Sequence, residues 1–581
     1  MRGYVISWRL IKENFIVNEF LDIVTQLSSY HRIQGTNELV QAAKFIRDIL
    51  MDKTRFSVNY LRFNYSQIPK FLGSLIGWYI KGGRAEITSP KRKVIADFTH
   101  YPTSIVAFSP PGDFEGEVRY VGDGLSYDEP LDGIALTYGK GFEVYAKLVE
   151  LGAKAIIFFR RDLNPDGIPY VNLFPSESDI KYLKAPAISV DRKTASKIIR
   201  LLKKGIKVYV KGFVESGYFE KPELPVIEIT VSHDQPEYHI IAHFCHPRFM
   251  INDNISGTAS LIEGLIALQR LYEEGGFKLK YGLKALFVPE YFGTYTYLHS
   301  KIIKEDRKVV GTLNLDMIGE KCEITKSIFN IIRSPIILLS PLEAYIFKLL
   351  RRFLERFNIR YSLMSYSVGS DHDPYIALGI PALMLNFWPD AYYHTNLDTI
   401  DKLDASLSKM IISLTLGGLL DFLRKNISEY DYLSYISYVK GKDLLEANSS
   451  KILLARLKIY HEFIERKLKL IIPPTPEQIE YTGEKISIEG EGGLISLRYI
   501  RVTLGLEKYL KLRSKLEDKP WIRKLFILTS AIMKRVRKSI SLNDLGLIIN
   551  GELNVWIDPS EMIKILQILQ DVGFLTLIRG P

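Results

Sequence analysis

The chain of 581 residues has only two cysteines, Cys245 and Cys322, and only nine glutamines. So little sulfur excludes a disulfide scaffold, and with it any zinc ribbon or finger that needs four ligands rich in thiolate. A metal site here has to be built from His, Asp and Glu. Long apolar runs are also scarce. The most notable, at 71–80, is about half of what a bilayer-spanning helix requires. Charge of one sign is no more than a mild excess, a formal +11 from 77 basic and 66 acidic residues. That is well short of what a dedicated nucleic-acid or membrane-surface protein carries. Arg9, Lys12 and Glu13 interrupt the N-terminal segment before a signal-peptide core forms. The expectation is a cytoplasmic, soluble protein with no membrane partner. Scarce Cys and Gln beside plentiful Lys, Glu, Ile and Tyr lean towards a thermophile source.

What is present is an ordinary globular balance, 47% apolar and 25% charged. At roughly 150 residues per domain, three or four units are expected. Thr36 or Asn37 is placed to cap a helix running to Leu50. Between residues 99 and 220 lies a small α/β or β-rich module. Its Ile134–Thr137 strand, Phe142–Leu151 helix and Ala155–Phe159 strand make one compact unit. From 226 to 425 buried strands (His239–His243, Leu283–Val288, Val310–Asp316, Ala382–Asn386) alternate with amphipathic helices. This predicts a doubly wound, mostly parallel mixed sheet. After 426 the texture is helical to about 515. A last unit, 516–581, reads helix–helix–helix–strand, with Asp558 and Pro559 opening its third helix and Gly573 closing it.

Ligands in such a sheet bind beyond the carboxyl ends of the strands, and the polar motifs lie there. They are His243-Phe-Cys245-His246-Pro followed by Asn252-Asp253-Asn254; Pro-Glu290-Tyr291; Asn314-Leu-Asp316; Ser370-Asp371-His372; and Tyr392-Tyr393-His394-Thr395. Four of the ten histidines, His243, His246, His372 and His394, fall within 243–253 and 370–394, where even scattering would put fewer than one. Imidazole and carboxylate are the donors a divalent zinc ion takes when thiolates are absent. His243, Asp253, Asp316 and His394 supply them, and a shared carboxylate would hold a pair of ions. Glu290, in an apolar stretch, is available as a base for water.

These motifs resemble the co-catalytic zinc exopeptidase family of bacterial aminopeptidases and glutamate carboxypeptidase, over about residues 15–425. The Arg-x-x-Gly-Thr loop at Arg32–Thr36 matches as well, in the family's order. The resemblance implies a zinc exopeptidase fold, split as 1–98 and 221–425, with a protease-associated-like insertion at 99–220. It implies His243, Asp253 and Asp316 as ligands of one ion, Asp253 as the bridging carboxylate and His394 as ligand of the other. It further implies Glu290 as general base and Tyr393 as the phenol steadying the oxyanion. Two places depart from the family pattern. Tyr291 replaces a glutamate ligand, and Cys245 replaces the aspartate that orients the first histidine. His246, Tyr291, Cys245, His372 and Asp371 are therefore candidates for extra ligands or for support of the ligands, and zinc is expected as one or two ions. A group of aminopeptidase-like proteins with a His-x-Cys-His-Pro motif and a winged-helix tail is the most similar.

The expected activity is hydrolysis of short peptides by a zinc exopeptidase, an aminopeptidase before a carboxypeptidase. Two alternatives stand beside it. One is a single-zinc amidohydrolase or cyclase-like relative. The other is an inactive peptide-sensing regulator with a DNA-binding tail, since Lys534, Arg535, Arg537 and Lys538 make the tail's first helix basic. Nucleic acid has no other place in the chain. No organic cofactor is indicated, and association into a homo-oligomer is left open.

Overall fold

The structure, a computed structural model, describes residues 7–65, 72–273, 279–424, 428–465, 480–490, 492–516, 519–535 and 539–579. Arg537 and Lys538 of the basic cluster lie outside the described residues. An eight-stranded sheet forms the centre. In chain order its strands are β1 (Ser57–Asn64), β2 (Glu223–Ser232), β3 (Glu237–His243), β4 (Gly282–Val288), β5 (Val309–Leu315), β6 (Ile328–Ile332), β7 (Tyr361–Met364) and β8 (Ala382–Trp388). Across the sheet the order is β1-β2-β4-β3-β5-β8-β6-β7.

The core of the sheet, β4-β3-β5-β8, is parallel. Antiparallel pairs at β1/β2, β2/β4 and β8/β6 make the whole sheet mixed. The central strands are buried on both faces, which is why Ile240-Ile241-Ala242 and Leu286-Phe287-Val288 read as unbroken apolar runs. Register brings the ends together: His243 pairs with Val288, Ile241 with Asn314, and Leu315 with Leu385. The residues just beyond these ends are the ones that carry the motifs.

Helices pack on the sheet, and their starts are capped by side chains. Thr36 Oγ1 accepts from Leu39 N–H at 3.2 Å and opens Asn37–Lys53. Ser340 caps Pro341–Arg356, with proline at its first position. Ala405–Arg424 is long and apolar enough to cross a membrane. Here it is a core helix, with Ile411 to Leu420 buried and Gly417 against Trp8.

The second sheet corrects a boundary. Strands Gly77–Ser89 and Lys93–Asp97, expected in the central unit, pair instead with Tyr209–Phe219 and with each other. The inserted unit therefore begins at Gly77 rather than 99. It is a seven-stranded sheet with its own apolar core, including Ile134, Leu136, Ile157 and Val210. Alternation alone shows that a strand is half buried; it does not show against which sheet.

The C-terminal boundary moves as well. Ile486–Glu489, expected within a purely helical stretch, is the middle strand of a three-stranded sheet, between Ser539–Ser541 and Thr576–Arg579. Residues on both sides of 516 thus make one unit, with helices Ile522–Arg535, Leu542–Leu553 and Pro559–Asp571 against it. Asp558 caps the last of these by accepting from Ser560 N–H at 2.9 Å.

The helix Glu429–Leu445, which precedes this unit in the chain, is fastened to the central unit by a buried pair. Arg333 at the end of β6 meets Asp443 at 2.6 Å, with both side chains at most 3% exposed, and Tyr460 also donates to Asp443. Removing one partner of such a pair leaves a buried charge uncompensated, at a cost of about 3–5 kcal/mol. Arg333→Met is expected to lower the thermal unfolding midpoint markedly, and the Arg333→Met/Asp443→Leu double variant to regain most of the loss. Calorimetry of the three proteins checks this.

Candidate metal centre

Beyond the end of β3 the chain runs through Phe244 and Cys245 to His246. It is shaped by Arg32, whose buried guanidinium donates to the carbonyls of Phe244 (2.8 Å), Leu27 (2.6 Å) and Met250 (3.3 Å). Burial pulls that guanidinium down to about 10. Arg32 O also accepts from His246 N–H at 3.0 Å. The Arg-x-x-Gly-Thr loop is thus the clamp that aims His246.

Asp253 sits at the middle of the site, 3% exposed. Asp398 accepts from its N–H at 3.1 Å and from that of Asn252 at 2.8 Å. Asn254 Oδ1 accepts from Gly257 N–H (3.1 Å) and Met317 N–H (2.9 Å), while its Nδ2 donates to Leu315 O. Gly257 cannot be replaced there, because a Cβ would stand 2.4 Å from Asn254 Oδ1.

The two oxygens of Asp253 face different partners. Oδ1 lies 3.5 Å from His243 Nε2, which is itself 3.3 Å from Asp316 Oδ1. Oδ2 lies 3.6 Å from His246 Nε2 and 2.8 Å from His394 Nε2. Both groups, His243/Asp253/Asp316 and His246/Asp253/His394, keep their donor atoms within 4.8 Å of one another. Donors about 2.0–2.1 Å from a tetrahedral zinc ion stand about 3.3 Å apart, so most of these separations suit an ion between them.

The electrostatics agree. The ion-pair partners of Asp253 and Asp316 among the described residues are histidines alone. Asp371 Oδ2 is buried with no hydrogen-bond partner. Burial, with Asp371, Asp253 and Asp316 around it, pushes the Glu290 carboxyl well up against the opposing pull of His243. Burial also holds His246 down to about 3, so its imidazole is neutral, as a ligand must be. A buried pocket this rich in carboxylate calls for a cation. Against its burial, the carboxylates, Asp316 foremost, raise His243, so that a proton fills that part when no ion does. Backbone strain marks the same place: His246, Tyr291, Met317 and His394 all have φ between 51° and 111°, a region that non-glycine residues occupy only where their surroundings impose it.

The expected residues converge, with one reassignment. Tyr291, at the place of the missing glutamate, turns away. Its phenol donates to Asp373 at 2.5 Å and its N–H donates to Asp371. His246 takes the position opposite His394 instead. Cys245 Sγ lies 3.7 Å from His243 Nδ1, on the far side of that ring from the ion position, and accepts from Glu290 N–H at 3.3 Å. It thus occupies the orienting aspartate's place with a neutral thiol, which burial raises. Asp371 also accepts from Thr294, and His372 Nε2 meets Ser367 O at 2.7 Å, so both support the site without joining either donor group.

One contributor has no signal in the sequence. Tyr170, from the inserted unit, sets its ring edge-on to His246 and His394 with centroids 5.7 and 5.4 Å away, and its N–H donates to His394 O. Tyr393 stacks on His394 at 3.8 Å and meets Trp388.

Residues 227–417, which hold every donor named above, match the family model described as Peptidase family M28. This part of the chain is an M28 peptidase domain. It is a metallopeptidase domain, and zinc is the ion its donors are built to hold. Among solved structures the chain is similar to a zinc aminopeptidase from Bacillus subtilis at 18% identity and TM-score 0.50, over 71% of this chain and 96% of that one. It is similar to a peptidase M28 precursor from Shewanella amazonensis SB2B at 15% identity and TM-score 0.55, over 72% and 96%. A structure assigned as a peptidase from Clostridium acetobutylicum matches over 98% of both chains at 14% identity and TM-score 0.51, which carries the likeness of fold through the insert and the C-terminal unit. No curated protein matches the chain.

Asp253 faces both donor groups and His246 only one. Asp253→Ala is expected to abolish retained zinc, whereas His246→Ala keeps about one equivalent fewer than the wild type. Metal analysis after dialysis reads both. A full complement in His246→Ala would remove that residue from the ligand set.

Proposed function

We propose that the protein is an aminopeptidase that hydrolyses short peptides, with Glu290 as general base and acid. The observation that carries this reading is the position of the Glu290 carboxylate. It stands within 4.8 Å of the His243 and His246 donor atoms and on the wall of a cavity shared with Asp253, Asp316 and Tyr393. A peptide bond bound in this cavity would lie between Glu290 and the donor residues.

Zinc bound by His243, Asp253, Asp316, His246 and His394 would polarise the substrate carbonyl and make a neighbouring water more acidic. Glu290 takes the proton from the attacking water and delivers it to the leaving amine. Gln34 keeps this base in place by donating to Glu290 O at 2.9 Å, and Cys245 accepts from its N–H. Tyr393, its phenol held protonated first by burial and then by Asp253 and Glu290 nearby, donates to the oxyanion as it forms. Tyr170 packs edge-on against His246 and His394 on the other side of the site.

The cavity of about 400 Å3 next to Glu290 is walled, away from the carboxylates, by Ile332, Met364, Met384 and Trp388, with Asn330, Ser367 and Asn386 as polar residues among them. Among the described residues, no Lys or Arg lines it. A medium-sized apolar side chain such as that of Leu or Met fits it best, because methionine walls adapt to such shapes. Leucyl and methionyl p-nitroanilides are expected to be cleaved at least about tenfold faster than glutamyl or lysyl ones, a difference that burial of one apolar side chain supplies. A preference for the charged derivatives in that panel would contradict the assignment of this cavity.

Glu290→Gln is expected to lower kcat by about 10²–10⁴ with zinc content unchanged. Wild-type turnover in that variant, measured on leucyl p-nitroanilide with metal analysis alongside, would show that the base is another group.

A further inference from the structure

A second cavity, of about 380 Å3, opens on the other side of Glu290. It shares Glu290, Val368 and Gly369 with the first, so the two meet at the proposed base. Its floor belongs to the peptidase domain and its roof to the C-terminal unit, through the 494–498 segment and the start of helix Ile522–Arg535. The roof is fixed. Ser530 donates to Ala377 O at 2.6 Å, and Gly493 N–H donates to Ser530. Arg498 gives its guanidinium to the carbonyls of Leu72, Gly73, Ser74 and Phe174.

The lining is apolar except at a few places, and most of its polar groups are already committed. Asp373 accepts from Tyr291, Tyr366 and Gly369. Gln34 is taken by Glu290 O and Tyr65. Arg498 is spent on carbonyls. Arg523 is different. It is exposed, it lines the cavity, and among the described residues it has neither an ion-pair nor a hydrogen-bond partner. It is close enough to the buried Tyr291 phenol to act on it electrostatically. An uncommitted guanidinium at the rim of an apolar cleft is a receptor for a planar anion, which it binds through two parallel N–H bonds.

We propose that this second cavity is the subsite for the leaving part of the substrate, and that Arg523 reads a carboxylate on it. The inference rests on the aminopeptidase reading only for the direction in which the peptide lies. The first cavity takes the N-terminal side chain, so the residues beyond the scissile bond pass Glu290 towards the C-terminal unit. A short peptide then brings its own terminal carboxylate to Arg523. An acidic side chain just after the scissile bond offers the same chemistry. Arg523 is a specificity residue in this arrangement and touches no reacting atom.

The test uses the full-length zinc-loaded protein carrying Glu290→Gln, so that nothing is consumed during calorimetric titration. Leu-Gly-Gly is compared with its C-terminal amide, and Leu-Asp-Gly-amide with Leu-Asn-Gly-amide. The expected result is that the acid of the first pair binds about tenfold more tightly than the amide, the scale of one charge-assisted contact. Arg523→Gln added to this protein is expected to erase that difference, and Arg523→Lys to keep part of it. A preference confined to the second pair and lost in Arg523→Gln would still support the subsite, with the side chain as its source. No preference in either pair, or one that survives Arg523→Gln, would overturn the inference. Turnover of Leu-Gly-Gly by the wild-type protein is read separately. Its absence counts against the aminopeptidase reading alone, because the binding comparison does not depend on hydrolysis.

Discussion

The buried carboxylate of Asp253 is the constraint around which the rest of the domain is arranged. Its two oxygens face two different sets of donors. That is only possible if its backbone is held from behind while its side chain points forward. Asp398 holds the backbone by accepting two successive N–H groups, and Asn254 locks the turn to the end of β5 through Leu315 and Met317. The parallel sheet supplies the geometry at low cost. Adjacent strands of like direction end side by side, so His243, Asp316 and the residues after β8 are neighbours without any long reach.

With His246 rather than a carboxylate facing His394, the two halves of the donor cluster differ in character. The His243 side keeps two carboxylates, one of them shared, beside one imidazole. The His394 side has two imidazoles and only the shared carboxylate. Neutral imidazole offsets less positive charge than an anionic oxygen does, so an ion there keeps more of its own. The protein compensates by shaping. Burial keeps His246 unprotonated, Arg32 fixes the backbone of its loop, and Tyr170 packs against both rings. A weaker charge match is thus met by tighter positioning, which is why the inserted unit reaches into the site.

Much of this was legible before any coordinates. Unbroken apolar runs marked the central strands because those strands are buried on both faces, and Thr36 and Asp558 marked helix starts because orphan N–H groups need a side-chain acceptor. The primary donors could be named because they sit at strand ends in the order of a known family. What stayed hidden depends on direction or on distance along the chain. His246 and Tyr291 were equal candidates in sequence; positive φ at each aims one into the site and the other at Asp373. Tyr170 lies 224 positions before His394, and nothing local to it reports the contact. The strand Ile486–Glu489 is only four residues long, too short for its alternation to outweigh the helical texture around it. Gly77–Ser89 looks the same in sequence whichever sheet it joins.

The C-terminal unit is an integral wall of the enzyme, and its fastenings say so. Arg501 pairs with Asp179 at 2.6 Å and with Glu143 at 3.0 Å, both on the inserted unit. Glu552 accepts from Ile336 N–H in the peptidase domain, and Arg333 of that domain pairs with Asp443 on the helix that precedes the C-terminal unit. These contacts are buried, so they are strong only while the three units stay in register, and each unit restrains the other two. The consequence falls on helix Ile522–Arg535. A basic helix in a free tail would have its whole surface available to a partner. Here the apolar face of that helix, from Leu525 to Met533, is buried, and Ser530 is bonded to the helix His372–Ala377 that follows Asp371. The helix keeps Arg523 of its first turn and Lys534 and Arg535 of its last turn exposed, and its first turn opens onto the cleft beside Glu290. The architecture therefore points one of the helix's exposed charges, Arg523, at the proposed substrate path.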